Sequence, residues 1–215
     1  MISAFFQGGR VLGRVKASII GVVAIFGALS VPAGAHAAIA VFGGGEGESC
    51  WRAALASVLI HMDSAVQEAR WKADSIALCD DALSGPELTR QDVANTWVNR
   101  GILEMSREGY RKAEDNFHEA LRMYPKLAEA HVNLGSTMIN LHRYQEGIVE
   151  TQAGIDLKSK EIERAYFNLG IAYEYLGRLQ EAYDSYRMAS QLKPAWQDPK
   201  DEMARFVTQP VNLQK

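Results

Sequence analysis

Three glycines, Gly101, Gly135 and Gly170, stand 34 and 35 residues apart, and each sits among neighbours of the same kind. A period of that length constrains the fold more than any other feature of the chain. One unit of about 34 residues cannot bury its own apolar face, so such units are stable only when stacked into an array with a shared core. Around Gly101 stand Trp97, Ala113, Phe117, Ala120 and Pro125, and around Gly170 stand Tyr166, Leu169, Tyr173, Ala182, Tyr186, Ala189 and Pro194. The middle copy keeps Leu134 and Gly135 but carries His131, Met138, Gly147, Thr151, Gly154 and Ser159 at the other places.

The outer copies follow Trp-x2-Leu-Gly-x2-Tyr, then Ala-x3-Phe-x2-Ala, then Pro, with Tyr for Trp and Phe in the third copy and departures at Arg100 and Glu104 in the first. This pattern resembles the tetratricopeptide repeat (TPR) family over residues 94–196, in copies 94–127, 128–161 and 163–196. The resemblance implies an all-α, right-handed solenoid of stacked antiparallel helix pairs. Small residues let two helices approach, aromatics fill the gaps beside them, and proline ends the second helix because it has no N–H to donate. Interrupted periodicity at Glu108-Gly109-Tyr110, Leu141–Tyr144 and Leu176–Leu179 places helices at about 95–107, 111–124, 129–141, 145–157, 163–176 and 180–192.

The flanks read as covers for the two ends of the array. Residues 50–93 hold a degenerate helical pair, with Trp51, Ala54, Leu55, Val58 and Leu59 as one apolar stripe and Ser75, Cys79 and Ala82 at second-helix spacing. Residues 197–215 are expected to form a capping helix and tail, starting at Asp198-Pro199 with Met203, Phe206 and Val207 as its apolar face. Terminal units need such covers, since their outer faces otherwise expose the core.

The N-terminus carries an address. Met1 to Lys16 holds Arg10, Arg14 and Lys16 and no acid, Ala17 to Val31 has no charge, and Ala35-His36-Ala37 offers a small-x-small cleavage site. This is the basic, apolar, small order of a secretory signal over residues 1–37, with the mature chain in the periplasm. The competing reading is a retained anchor, but fifteen uncharged residues fall short of the roughly 20 that span a bilayer. Residues 38–49, with Gly43-Gly44-Gly45-Glu46-Gly47, read as a flexible tether. The whole chain has 23 basic and 26 acidic residues, and signal removal leaves 20 and 26. That acidic balance excludes an electrostatic nucleic-acid binder and a partner of anionic lipid.

Candidate chemistry is sparse. Export favours a Cys50–Cys79 disulfide, and if two helices turn near Asp63 the cysteines lie offset by about one helical turn, within bridging reach. Two buried thiols are the alternative, and a redox pair lacks Cys-x-x-Cys spacing. No two mature histidines stand at i, i+3 or i, i+4, so no metal site is expected, and no Walker, Gly-x-Ser-x-Gly or His-Glu-x-x-His pattern occurs. His131 occupies an aromatic position and is expected to pack. No cofactor and no catalytic residue is nominated.

One recurrence points to binding. The residue two before each aligned glycine is Asn99, Asn133 or Asn168. By the resemblance this place on the first helix of a pair faces a concave groove, where an amide can both donate to and accept from an extended peptide backbone. The bland alternative is an asparagine tolerated beside the glycine for local structure. Arg164, Val132, Phe167 and Ile171 join the candidate peptide-binding set by position. Some relatives clamp a terminal carboxylate with lysines or arginines together with such asparagines. Asn133 and Arg164 match that arrangement, whereas Val98 and Ile102 do not. The resulting expectation is a non-catalytic, exported adaptor that binds a protein or peptide segment. The rival is a structural component that self-associates through its terminal faces.

Overall fold

The computed structural model describes residues 20–24, 47–59, 65–85 and 88–210. Among these, the chain runs β1 (Ile20–Ala24), α1 (Gly47–Leu59), α2 (Ala65–Ser84), α3 (Arg90–Met105), α4 (Tyr110–Met123), α5 (Ala128–Asn140), α6 (Tyr144–Asp156), α7 (Ile162–Tyr175), α8 (Leu179–Leu192), α9 (Asp198–Ala204) and β2 (Phe206–Pro210). Each of α3–α4, α5–α6 and α7–α8 packs as a pair, and successive pairs stack on one another. This is the all-α solenoid expected from the repeat.

The same turn joins the two helices of each pair. Gly109 N–H donates to the Glu104 carbonyl at 2.8 Å, Arg143 N–H to Met138 at 2.8 Å and Arg178 N–H to Tyr173 at 2.9 Å. These six-to-one bonds satisfy a carbonyl that the helix end would leave open, and they require one residue in the left-handed region. That residue is Glu108 (φ 61°), His142 (φ 61°) and Gly177 (φ 71°) in the three copies. Only the third copy places glycine where the backbone asks for it.

The helix boundaries agree with the periodicity to within a residue or so, except at the start of α3. There Thr89 accepts from Asp92 N–H at 3.2 Å and its hydroxyl donates to the Asp92 carboxylate at 2.6 Å, so the helix begins at Arg90 and not near 95. Two expectations at the flanks need correction. Gly47, Glu48 and Ser49 are not tether but the first turn of α1, with Gly47 lying close to Thr96 of α3. At the other end, α9 stops at Ala204, so Phe206 and Val207 are not on a capping helix. They belong to β2, which pairs antiparallel with β1, Val22 opposite Thr208. Phe206 still covers the end of the solenoid, its ring 5.9 Å from Tyr183 and 6.2 Å from Tyr186.

Cys50 and Cys79 form a disulfide that ties α1 to α2, with Cα atoms 4.7 Å apart. Both are fully buried in the N-terminal core, which runs through Val98, Ile102, Phe117 and Leu134. A second core holds Val132, Ile139, Phe167, Ile171 and Tyr186. Helix α5 belongs to both, presenting Ala130, Leu134 and Met138 to the first and Val132 and Ile139 to the second. The two sets differ in angular position on a 3.6-residue helix, so α5 is the seam of the molecule. The expected cleavage motif at 35–37 and the tether residues 38–46 lie outside the described residues. The apolar run contributes β1.

Candidate functional site

The asparagine ladder was the main binding expectation, and the repeat carries it faithfully. Asn99, Asn133 and Asn168 occupy one register on α3, α5 and α7, the first helices of the three pairs. All three are 0% exposed, however, and each is engaged in a polar interaction. Val132, Phe167 and Ile171 are buried as well. The expectation of an open groove lined by these side chains is therefore corrected: in this conformation they are interior residues. The reason is visible for the apolar members. Phe167 packs between Tyr186, at 5.6 Å, and Trp196, at 4.8 Å. Val132 lies against Gly154 on the paired helix, where any added Cβ would strike it. Those positions face the partner helix and not solvent.

Arg164 is the remaining member of the set. It pairs with Glu161 at the start of α7 and keeps part of its side chain exposed. Nearby, Glu163 receives Lys193 Nζ at 3.2 Å, and Glu129 accepts the Lys160 N–H at 3.3 Å. Opposite charges thus alternate along the helix starts, giving neither sign a continuous patch.

Two exposed apolar side chains adjoin at the other end of α7. Tyr175 is 40% exposed and stacks on Tyr144, centroids 4.7 Å apart and planes 5° from parallel. Leu176 beside it is also exposed, and Arg178 sits 4.5 Å over the Tyr173 ring. Burial raises the Tyr144 phenol above its ordinary value, with the neighbouring Tyr175 adding to it. Tyr144 stands 31 residues before Tyr175, at the start of the previous pair's second helix, so no local pattern links the two.

Past α8 the chain is fastened by a buried carboxylate. Glu174 accepts from the Tyr186 hydroxyl at 3.0 Å and pairs with Arg205, which also holds Glu202. Burial, and then the Glu174 charge, push the Tyr186 phenol far above its usual range, so it stays a donor. Among the described residues no group of histidine, cysteine or acidic side chains is arranged to hold a metal ion. Among them, too, no helix is long and apolar enough to cross a membrane.

With this geometry in place, the family model for the tetratricopeptide repeat matches residues 163–195, the third copy. The third copy is a tetratricopeptide repeat, and the chain has the TPR-solenoid fold. Solved structures with the same fold include MamA, at TM-score 0.53 and 20% identity, covering 67% of this chain and 82% of that one. The first TPR of Spaghetti (RPAP3), bound to the HSP90 peptide SRMEEVD, aligns at TM-score 0.50 and 20% identity over 56% of this chain and 94% of that one. Among curated proteins, the E3 ubiquitin-protein ligase CHIP of Arabidopsis thaliana is 24% identical over 87 residues, which is 40% of this TPR chain and 31% of the ligase. The chain thus spans about a third of that relative's length. Likeness at these identities speaks to the fold.

Proposed function

We propose that this TPR protein is an exported, non-catalytic adaptor that holds an extended segment of a partner protein along the first helices of its three pairs. The observation that carries the reading is the stack of three helix pairs, whose first helices α3, α5 and α7 share one register marked by an asparagine beneath the surface. A side chain that both donates and accepts, placed once per repeat, suits a peptide backbone in any sequence. The Spaghetti domain, which has the same fold, holds a peptide, and this supports the class of function. Because the ladder is buried and already engaged within the chain, a ligand gains those amides only in exchange for contacts the chain now makes. Affinity is then reduced by the fraction of molecules in the competent state. The missing Lys and Asn at Val98 and Ile102 argue against recognition of a terminal carboxylate.

Crosslinking in cells tests this. A photoreactive residue at Tyr175 or at Arg164 should capture one dominant partner, while one at Val149 on α6, 59% exposed, should not. Equal capture from Val149, or capture only of the chain itself, contradicts the reading and favours self-assembly. N-terminal sequencing of the protein from cells tests export: the expected first residue is Ala38. An intact Met1 on membrane-bound protein would mean a retained anchor.

A further inference from the structure

We propose that His131 is a proton-operated clamp that fastens the first helix pair to the second, and so regulates the seam on which the proposed binding ladder rests. The ring lies on α5, two residues before Asn133, with its side chain 17% exposed. Its Nδ1 is 2.7 Å from the Glu150 carboxylate on α6, and its Nε2 is 2.9 Å from the Pro125 carbonyl in the α4–α5 connection. Both partners are acceptors. A neutral imidazole carries one N–H and can satisfy one of them, whereas the imidazolium carries two and satisfies both. The site is therefore shaped for the charged ring, and loss of the proton must release either the connection or α6.

The electrostatics agree with the geometry. The Glu150 hydrogen bond holds the His131 value above its ordinary range, burial opposes this, and the Pro125 carbonyl and the Glu150 charge add to the rise. Glu150 from α6 is the charged group that bears on the ring, and the connection contributes only a neutral carbonyl. A raised folded-state value fixes the sign. The clamp's stabilisation is complete below the unfolded value, about 6.5, and is lost as pH rises through the folded value.

What the clamp joins gives it leverage. Pro125 follows α4, whose core is the N-terminal one, while Glu150 is on α6, which packs into the second core through Ile148 and Ile155. The ring bridges the two cores beside the helix they share. The other two copies carry Trp97 and Tyr166 at this place, aromatic residues that pack but hold no proton that titrates near neutral pH. The regulatory part of this inference rests on the proposed ladder, but the clamp itself does not.

The test uses the full chain and no ligand. NMR titration of the His131 ring should give a midpoint above 6.5 that falls towards it in Glu150→Gln. The gain in Tm of the native protein over Glu150→Gln should be largest near pH 5.5 and shrink as pH rises. In His131→Tyr, which places there the residue of the third copy, Tyr166, that pH dependence should vanish while the fold persists. Hydrogen exchange of amides 126–131, corrected for intrinsic rates, should quicken on deprotonation in the native protein only. A His131 midpoint at or below 6.5, or an unchanged pH dependence in Glu150→Gln, overturns the proposal. Failure to crosslink a partner would remove the ladder reading and leave the titration result standing.

Discussion

In the outer pairs a large ring from the second helix lies over a glycine of the first, whereas in the middle pair the rings are gone and the backbones themselves approach. A Cβ on Gly101 would fall 2.5 Å from the Phe117 ring, and one on Gly170 would likewise strike Tyr186. On Gly135 the added atom would strike the Thr151 hydroxyl and also backbone, 2.8 Å from the Gly147 carbonyl, and on Gly147 it would strike Ile139 and lie 2.9 Å from the Gly135 carbonyl. Thr151 stands where Phe117 and Tyr186 stand, and its buried hydroxyl has no hydrogen-bond partner. The same pair contains three helical glycines, Gly135, Gly147 and Gly154. Each costs a helix up to about 1 kcal/mol relative to alanine. Two solutions to one packing problem therefore differ in cost: ring-over-glycine contributes buried apolar area, while backbone approach contributes contact without it. The middle pair is intrinsically the weakest unit, and it is held by neighbours on both sides and by the His131 clamp.

The largest effect should come from removing a ring. Phe117→Ala and Tyr186→Ala should each lose about 3–5 kcal/mol of stability, while Thr151→Ala, at the matching position, should lose under about 1.5 kcal/mol. Urea denaturation measures all three, and equal losses would erase the distinction between the pairs. Gly135→Ala should cost about 1–3 kcal/mol, because the added methyl meets the Thr151 hydroxyl and, behind it, α6 backbone that a side-chain rotation cannot move aside. Smaller still, and of opposite sign, Glu108→Gly should stabilise by about 0.5–1 kcal/mol, since φ is +61° and only glycine occupies that region without penalty. His142→Gly shares that backbone gain but loses the ring's 2.8 Å contact with the Tyr144 hydroxyl, so its net gain should be less. Calorimetry that showed both variants less stable than the native chain would refute the strain argument.

Much of this architecture was legible from local pattern. The glycine spacing, the small residues at Ala113, Ala120, Ala182 and Ala189 and the turn chemistry placed six helices, since each depends on residues within one repeat. Where the outcome depended on contacts between distant segments, local pattern did not reach it. Ladder asparagines look alike in sequence whether open or buried. Their burial depends on what the rest of the chain lays against them. His131 was expected to pack as an aromatic stand-in, and its partners, Glu150 and the Pro125 carbonyl, come from other elements. Phe206 and Val207 alternate as well in a strand as in a short helix face, and the antiparallel partner, Ile20–Ala24, lies at the opposite end of the chain.

The measurement that most directly tests this account is native-state hydrogen exchange read helix by helix. If the middle pair is the seam, the slowest amides of α5 and α6 should exchange through an opening of lower free energy than those of α3–α4 and α7–α8. That gap should widen as His131 loses its proton. The contrary result is a solenoid that frays from its ends, with α5 and α6 the most protected helices at every pH. It would show that stacking on both sides outweighs the glycines and the missing rings.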